Sequence, residues 1–356
     1  MPSESNISHL SNEKPVGVIG AGSFGTVISN MLARNRKVLL YARHAADVKR
    51  INEERKNRGY TIHKNIQAIN DLRVLANSCD VIFPIVPSSN FRQMMRQLSP
   101  HLHPYHMLIH GTKGFDITLP PGETIESIKK LDRTMVKTMS EVIQEESVAV
   151  RIGCLAGPNL SKELAMRQPA ATVVASHFQE VIQTGKKLLK SDRFQVYENS
   201  DIVGVEIAGV LKNIIAIASG ALSGLGFGDN AKGLLISRGA VEMVYLGRAL
   251  GGDLKAFLGV AGIGDLVTTC NSPMSRNFTV GSRLAKGEKL ADIVADMKEV
   301  AEGINTVRIA KKCADHYKVR ALITDRLYKV LFEGLTVQEA LDFLMRYPLN
   351  MDIDFI

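Results

Sequence analysis

Val16-Gly17-Val18-Ile19-Gly20-Ala21-Gly22-Ser23-Phe24-Gly25-Thr26 decides how the chain begins to fold. A short apolar run breaks at glycine, and Thr26-Val27-Ile28-Ser29-Asn30-Met31-Leu32 resumes with helical spacing, so the order is strand, turn, helix. In glycines spaced as Gly20, Gly22 and Gly25 are, the first makes the tight turn and the second admits a pyrophosphate to the backbone. The third lets the helix pack on its strand. The helix start then presents backbone N–H groups to the anion. A lone match would say little, but this one opens a βαβ unit and therefore reads as a dinucleotide site.

Outward from that loop the pattern continues as α/β. Val38–Tyr41 is the next strand, and the charged stretch from Asp47 to Arg58 the next helix. Further strands are expected at Val81–Val86, Met107–His110, Val148–Val150 and Thr172–Ala175, with a helix over Asn90–Leu98. After about Ser200 the β-branched runs give way to long helical stretches, Val203–Leu222 and Ala231–Leu250. The expected organisation is a disordered tail over 1–13, a dinucleotide-binding domain over 14–200 and a helical substrate-binding and catalytic domain over 201–356. The fold class is a Rossmann-type α/β domain with a parallel-rich sheet followed by an all-α domain.

The chain has 356 residues, 45% hydrophobic and 22% charged, enough for two domains with their own cores. A net charge of +8 suits acidic partners, yet the basic residues are spread along the chain without an aromatic-rich strip, which argues for a phosphorylated metabolite over nucleic acid. Cys79, Cys154, Cys270 and Cys313 lie far apart and form no C-x-x-C pair, as expected for reduced thiols in a cytoplasmic protein. The polar segment Met1–Asn6 lacks the order of a signal peptide. The most apolar stretch, Ile214–Leu222, is shorter than the roughly 20 residues that span a bilayer.

Several side chains carry chemistry. Where an NAD-specific site places a carboxylate after the second strand, this chain has Ala42-Arg43-His44, and Arg43 suits a 2′-phosphate or the face of adenine. His101, His103, His106 and His110 share no face and match no zinc pattern, so no metal is expected. Lys113 in Gly111-Thr112-Lys113-Gly114 leaves a strand at its carboxyl edge, where ligands bind. Gly157-Pro158-Asn159-Leu160-Ser161 follows another strand, with Asn159 or Ser161 able to cap the next helix. Lys212 and Asn213 interrupt an almost wholly apolar helix, and a desolvated lysine acquires a pKa suited to giving and taking protons. Asp265 lies near Thr269 in a Gly-rich loop. Ser275-Arg276-Asn277 sets a guanidinium fork between two hydrogen-bonding residues, apt for phosphate.

Taken in order, GAGSFGT at 20–26, TKG at 112–114, AGPN at 156–159, EIAGVLKNIIAI at 206–217, GLGFGDNAK at 224–232, GDLVTTC at 264–270 and SRN at 275–277 resemble the bacterial-type NAD(P)-dependent sn-glycerol-3-phosphate dehydrogenases. The resemblance covers essentially the whole chain beyond the tail. It implies a 6-phosphogluconate dehydrogenase-like pairing of domains, a cytoplasmic homodimer with its active site in a cleft, a role in glycerophospholipid metabolism, and hydride transfer between NAD(P)H and dihydroxyacetone phosphate.

It also implies Lys212 as proton donor and acceptor with Lys113 and Asp265 beside it, and substrate contacts from Lys113, Gly157, Asn159, Lys212, Asp265, Thr269, Ser275, Arg276 and Asn277. The implied cofactor border is Gly20, Gly22, Ser23, Phe24, Gly25, Arg43, His44, Tyr60, Lys113, Ser161, Arg276, Val300 and Glu302, with NADP(H) favoured over NAD. The chain departs from the family pattern in its shorter segment Tyr60–Ile66 and in Ala156 and Asn159. Two rival readings are a β-hydroxyacid or 6-phosphogluconate-type dehydrogenase and a dinucleotide sensor without turnover. The motifs after Gly224 oppose the first, and the presence of Lys212, Asp265 and Arg276 opposes the second.

Overall fold

The computed structural model describes residues 13–128, 130–297, 299 and 301–348. They form two units: 1–112 with 139–202, and 113–138 with 203–356. The short tail expected over 1–13 falls almost wholly outside the described residues, as does Val300. The second unit takes in the excursion Lys113–Thr138, which the sequence pattern alone assigns to the first.

The first unit is built on one eight-stranded sheet. Its strands are β1 (Val16–Ile19), β2 (Val38–Tyr41), β3 (Ile66–Ile69), β4 (Val81–Pro84), β5 (Met107–His110), β6 (Arg151–Ala156), β7 (Ala170–Ala175) and β8 (Phe194–Asn199). They lie in the order β3-β2-β1-β4-β5-β6-β7-β8. The first six of these run parallel, in the order of a doubly wound dinucleotide-binding sheet. β7 turns back antiparallel to β6 and is joined by a parallel β8. The chain reverses between β1 and β4, so loops leaving β1, β2, β4, β5 and β6 gather at the carboxyl edge of the sheet. Val18, Leu40, Phe83 and Ile109 are buried in the core behind that edge.

Two local expectations are corrected. The strand expected at Val148–Val150 starts instead at Arg151, which pairs with Met107 where β5 begins; Val148 and Val150 are exposed. The helix expected over Asp47–Arg58 runs over Ala45–Glu54 and stops at Arg55, whose φ of 53° is left-handed. Lys56–Asn57 and Tyr60–Thr61 then form a two-stranded ribbon. Its turn residues Arg58 and Gly59 have φ of 50° and 83°, the pair of positive angles a two-residue hairpin needs.

The second unit is mostly helical. Its axial helix, Ile202–Gly224, is buried over nearly its whole length. Among the described residues it is the helix long and apolar enough to cross a bilayer, but 89% of its most apolar window is buried inside the protein, as in a core helix. The apolar run is thus longer than Ile214–Leu222. Helix Arg276–Ala285 packs on it backbone to backbone. A Cβ on Gly281 would lie 1.8 Å from the Ile217 carbonyl oxygen, and one on Gly220 1.9 Å from that of Phe278.

Glu242 in helix Asp229–Ala249 accepts the N–H groups of Ile323 and Thr324, both at 2.8 Å, and so satisfies the start of helix Leu322–Phe332. The excursion is tied down as firmly: Arg133 Nε donates to Leu250 O at 2.7 Å, its backbone N–H to the Tyr317 hydroxyl at 2.8 Å, and Lys312 Nζ to Ile128 O at 3.1 Å. All four cysteines are buried, and none is in a disulfide.

Candidate active site

In the first unit the residues around the opening loop fit a dinucleotide. Gly20 has φ of 118°, and a Cβ there would meet Ile85 O at 2.0 Å. One on Gly25 would meet Gly20 O at 1.9 Å, so both glycines are required by the turn and by helix packing. Gly22, by contrast, has open space where its Cβ would be. Helix Ser23–Leu32 starts from Gly22 with no side-chain cap and no acidic residue in its first turn. An uncapped helix start behind an open glycine is what a pyrophosphate requires. Phe24 packs against Gly111, whose Cβ would be 3.0 Å from the ring.

Arg43 and His44 follow β2 as exposed side chains at hydrogen-bond distance of 3.4 Å, at the place where a carboxylate would select a free ribose. Tyr60 stands in the ribbon and packs on the core. Gly157 has φ of 148°. Neither Asn159 nor Ser161 caps the helix Ser161–Ala165: Leu160 is its N-cap residue, with no side-chain hydrogen bond. Asn159 Nδ2 instead donates to Thr172 Oγ1 at 2.9 Å. The histidines are held by the fold: His106 Nε2 meets Ala76 O at 2.9 Å, and His110 lies edge-on to Phe91.

The second unit brings Lys113, Lys212, Asp265 and Thr269 together. Helix Ile202–Gly224 carries Lys212, 5% exposed, into the cluster. A π-turn at Val260–Gly264 delivers Asp265 to the first position of the next helix. Lys212 Nζ donates to Asp265 Oδ1 at 3.0 Å and to Thr269 Oγ1 at 2.6 Å, and the Thr269 hydroxyl donates to Asp265 Oδ1 at 3.1 Å. Lys113 Nζ takes the other carboxylate oxygen at 2.6 Å. Thr269 is therefore engaged within the cluster.

Burial pushes the Lys212 ammonium down to about 8, with Asp265 opposing the fall and Lys113 adding to it. Burial alone would raise Asp265, but the two ammonium groups hold it below the usual carboxylate range. The result is a fixed carboxylate between two lysines, one of which burial lowers to about 8.

Arg276 opens helix Arg276–Ala285 behind Ser275, whose hydroxyl caps the helix by accepting from Phe278 N–H. The guanidinium is half-exposed and 3.5 Å from Glu299. Asn277 Oδ1 accepts from Gly303 N–H at 3.0 Å, at the start of helix Glu302–Tyr317. A Cβ on Gly303 would also lie 3.0 Å from Asn213 O, so Asn277, Gly303 and the residue after Lys212 meet at one point. Glu302 is the first residue of that helix.

The family description NAD-dependent glycerol-3-phosphate dehydrogenase matches the chain twice, N-terminus over residues 15–182 and C-terminus over 201–342. The chain is 37% identical over 352 residues to glycerol-3-phosphate dehydrogenase [NAD(P)+] of Saccharophagus degradans, covering 98% of this chain and 94% of that protein. It is 37% identical over 350 residues to the Teredinibacter turnerae enzyme of the same name, covering 97% and 98%. The crystal structure of glycerol-3-phosphate dehydrogenase from Coxiella burnetii superposes with a TM-score of 0.84 at 30% identity, covering 94% of this chain and 99% of that one. With its glycine loop, its sheet order and its buried lysine already in place, the chain belongs to the NAD-dependent glycerol-3-phosphate dehydrogenase family.

Proposed function

We propose that the protein interconverts dihydroxyacetone phosphate and sn-glycerol 3-phosphate, with Lys212 as the group that gives and takes the proton at the substrate oxygen. The observation that carries this reading is the buried Lys212–Asp265–Thr269 cluster with Lys113 as second cation. The first unit binds NAD(P)(H) at Gly20–Gly25, and when bound the nicotinamide supplies or accepts the hydride. In reduction, Lys212 donates its proton to the carbonyl oxygen as negative charge develops there. Asp265 keeps Lys212 charged and Thr269 takes a second proton of its Nζ, which leaves the third for the substrate oxygen. Lys113 adds positive potential where the oxygen gains charge. Arg276, with the Asn277 amide beside it, receives the phosphate, so remote binding energy positions the carbonyl.

In this reading Asn159 and Gly157 line the substrate, and Ser161, Tyr60 and Glu302 border the cofactor. Arg43 and His44, with no carboxylate after β2, support use of NADP(H). Four buried cysteines outside any disulfide support a cytoplasmic location. The homodimer rests on the resemblance alone.

Reduction needs protonated Lys212. Its kcat therefore falls as pH rises through about 8, while kcat for oxidation of glycerol 3-phosphate, which needs the neutral amine, rises across the same range. Parallel pH profiles in the two directions would remove Lys212 from proton transfer. Arg276→Ala raises KM for the phosphorylated substrate by about 10- to 100-fold, the worth of a charge-assisted pair, with a smaller effect on kcat. Steady-state kinetics checks it, and an unchanged KM would place the phosphate elsewhere.

A further inference from the structure

The ribbon at Lys56–Thr61 holds a buried polar side chain that the glycine motif does not include. Asn57 is 2% exposed and uses both hydrogens of its amide: Nδ2 donates to Ala21 O at 2.9 Å and to Thr26 Oγ1 at 2.7 Å. Thr26 Oγ1 in turn donates to Gly22 O at 2.7 Å. Two successive carbonyls of the glycine loop are thereby held toward the ribbon.

In a trans peptide the carbonyl and the following N–H point in opposite directions. Holding Ala21 O and Gly22 O inward turns the N–H groups of Gly22 and Ser23 the other way, toward the open face above Gly22. The helix ladder fixes only the second of these peptides, through Thr26 N–H to Gly22 O at 2.9 Å. Ala21 O lies before the ladder begins, and Asn57 is its partner.

We propose that Asn57 is a positioning residue for the dinucleotide: it sets the Ala21–Gly22 peptide so that its N–H faces the pyrophosphate. The inference rests on the reading of Gly20–Gly25 as the pyrophosphate loop. It separates from a mere anchoring of the ribbon, because Asn30 performs that task. Asn30 Nδ2 donates to Thr61 O at 2.8 Å, and His63 N–H donates to Asn30 Oδ1 at 2.9 Å.

The test titrates NADH into the full-length protein, with circular dichroism and thermal melting on each variant. Asn57→Asp keeps the size of the side chain, removes both donors and sets a carboxylate against Ala21 O. It raises the NADH Kd about 10- to 100-fold, the worth of one to two lost hydrogen bonds and a repulsive contact. Asn30→Ala lowers Tm and leaves Kd within about threefold, since it frees the backbone at Thr61 and His63 and leaves both Asn57 donors on Ala21 O and Thr26 Oγ1. Should Asn57→Asp not fold, Thr26→Val removes the other member of the network and weakens NADH binding about 3- to 10-fold. Asn57→Asp binding NADH within twofold of the parent overturns the inference, as does an equal rise in Kd for Asn30→Ala. A parent protein that binds neither NADH nor NADPH contradicts the dinucleotide reading itself.

Discussion

Replacing Lys212 by alanine lowers kcat by about 10²- to 10⁴-fold, the usual loss when a general acid is removed. The protein remains folded, because Asp265 keeps its 2.6 Å pair with Lys113 and the Thr269 hydroxyl, and so is not left as a bare buried charge. Arginine at 212 does not restore turnover: a guanidinium stays protonated at any working pH and its fork does not fit a site built for three tetrahedral donors. Single-turnover kinetics with saturating cofactor reads the chemical step directly. Near-normal turnover in folded Lys212→Ala would show that the cluster holds the helices together and does no chemistry.

Gly20→Ala abolishes useful cofactor binding, raising the NADH Kd by at least about 100-fold. Two costs combine here. The φ of 118° is one that L residues rarely adopt, and the added Cβ would lie 2.0 Å from Ile85 O at the end of β4. The loop can accept the methyl group only by moving away from β4, which also moves Gly25 from its packing on Gly20 O. Gly22→Ala is milder for the fold, since nothing lies within 4 Å of its Cβ position. Fluorescence titration with NADH checks this, and retained affinity in folded Gly20→Ala would dissociate the loop from the cofactor.

What could be read before the structure was local. Gly20, Gly22 and Gly25 were legible because their spacing between an apolar run and a helical pattern is local, although the Ile85 carbonyl that crowds Gly20 comes from a distant strand. Lys212 was legible because a charge in an apolar helix has to be explained, and the structure buries it beside Asp265. The strands β1, β2 and β5 were legible in full as apolar runs ending at turns.

Partners distant in sequence were not. The Thr269 hydroxyl accepts from Lys212, 57 residues earlier in the chain. Asn57 carried no signal beyond its place before an Arg-Gly turn, since its two acceptors lie 36 and 31 residues away. The end of the second helix was misjudged because left-handed Arg55 has no Gly or Asn to announce it. The excursion 113–138 belongs with the helical unit through Arg133 and Lys312, contacts that no periodicity encodes.

The proposed reaction has two requirements, a reduced nicotinamide and a proton source for the oxygen, for which we propose the loop at Gly22 and Lys212. The most direct test follows the absorbance of reduced nicotinamide when NADH or NADPH is mixed with the protein and dihydroxyacetone phosphate, with unphosphorylated dihydroxyacetone as control. The expected result is oxidation of at least one cofactor with the phosphorylated substrate and little with the control, abolished in Lys212→Ala. Oxidation of neither cofactor, or equal rates with and without the phosphate, would contradict the account.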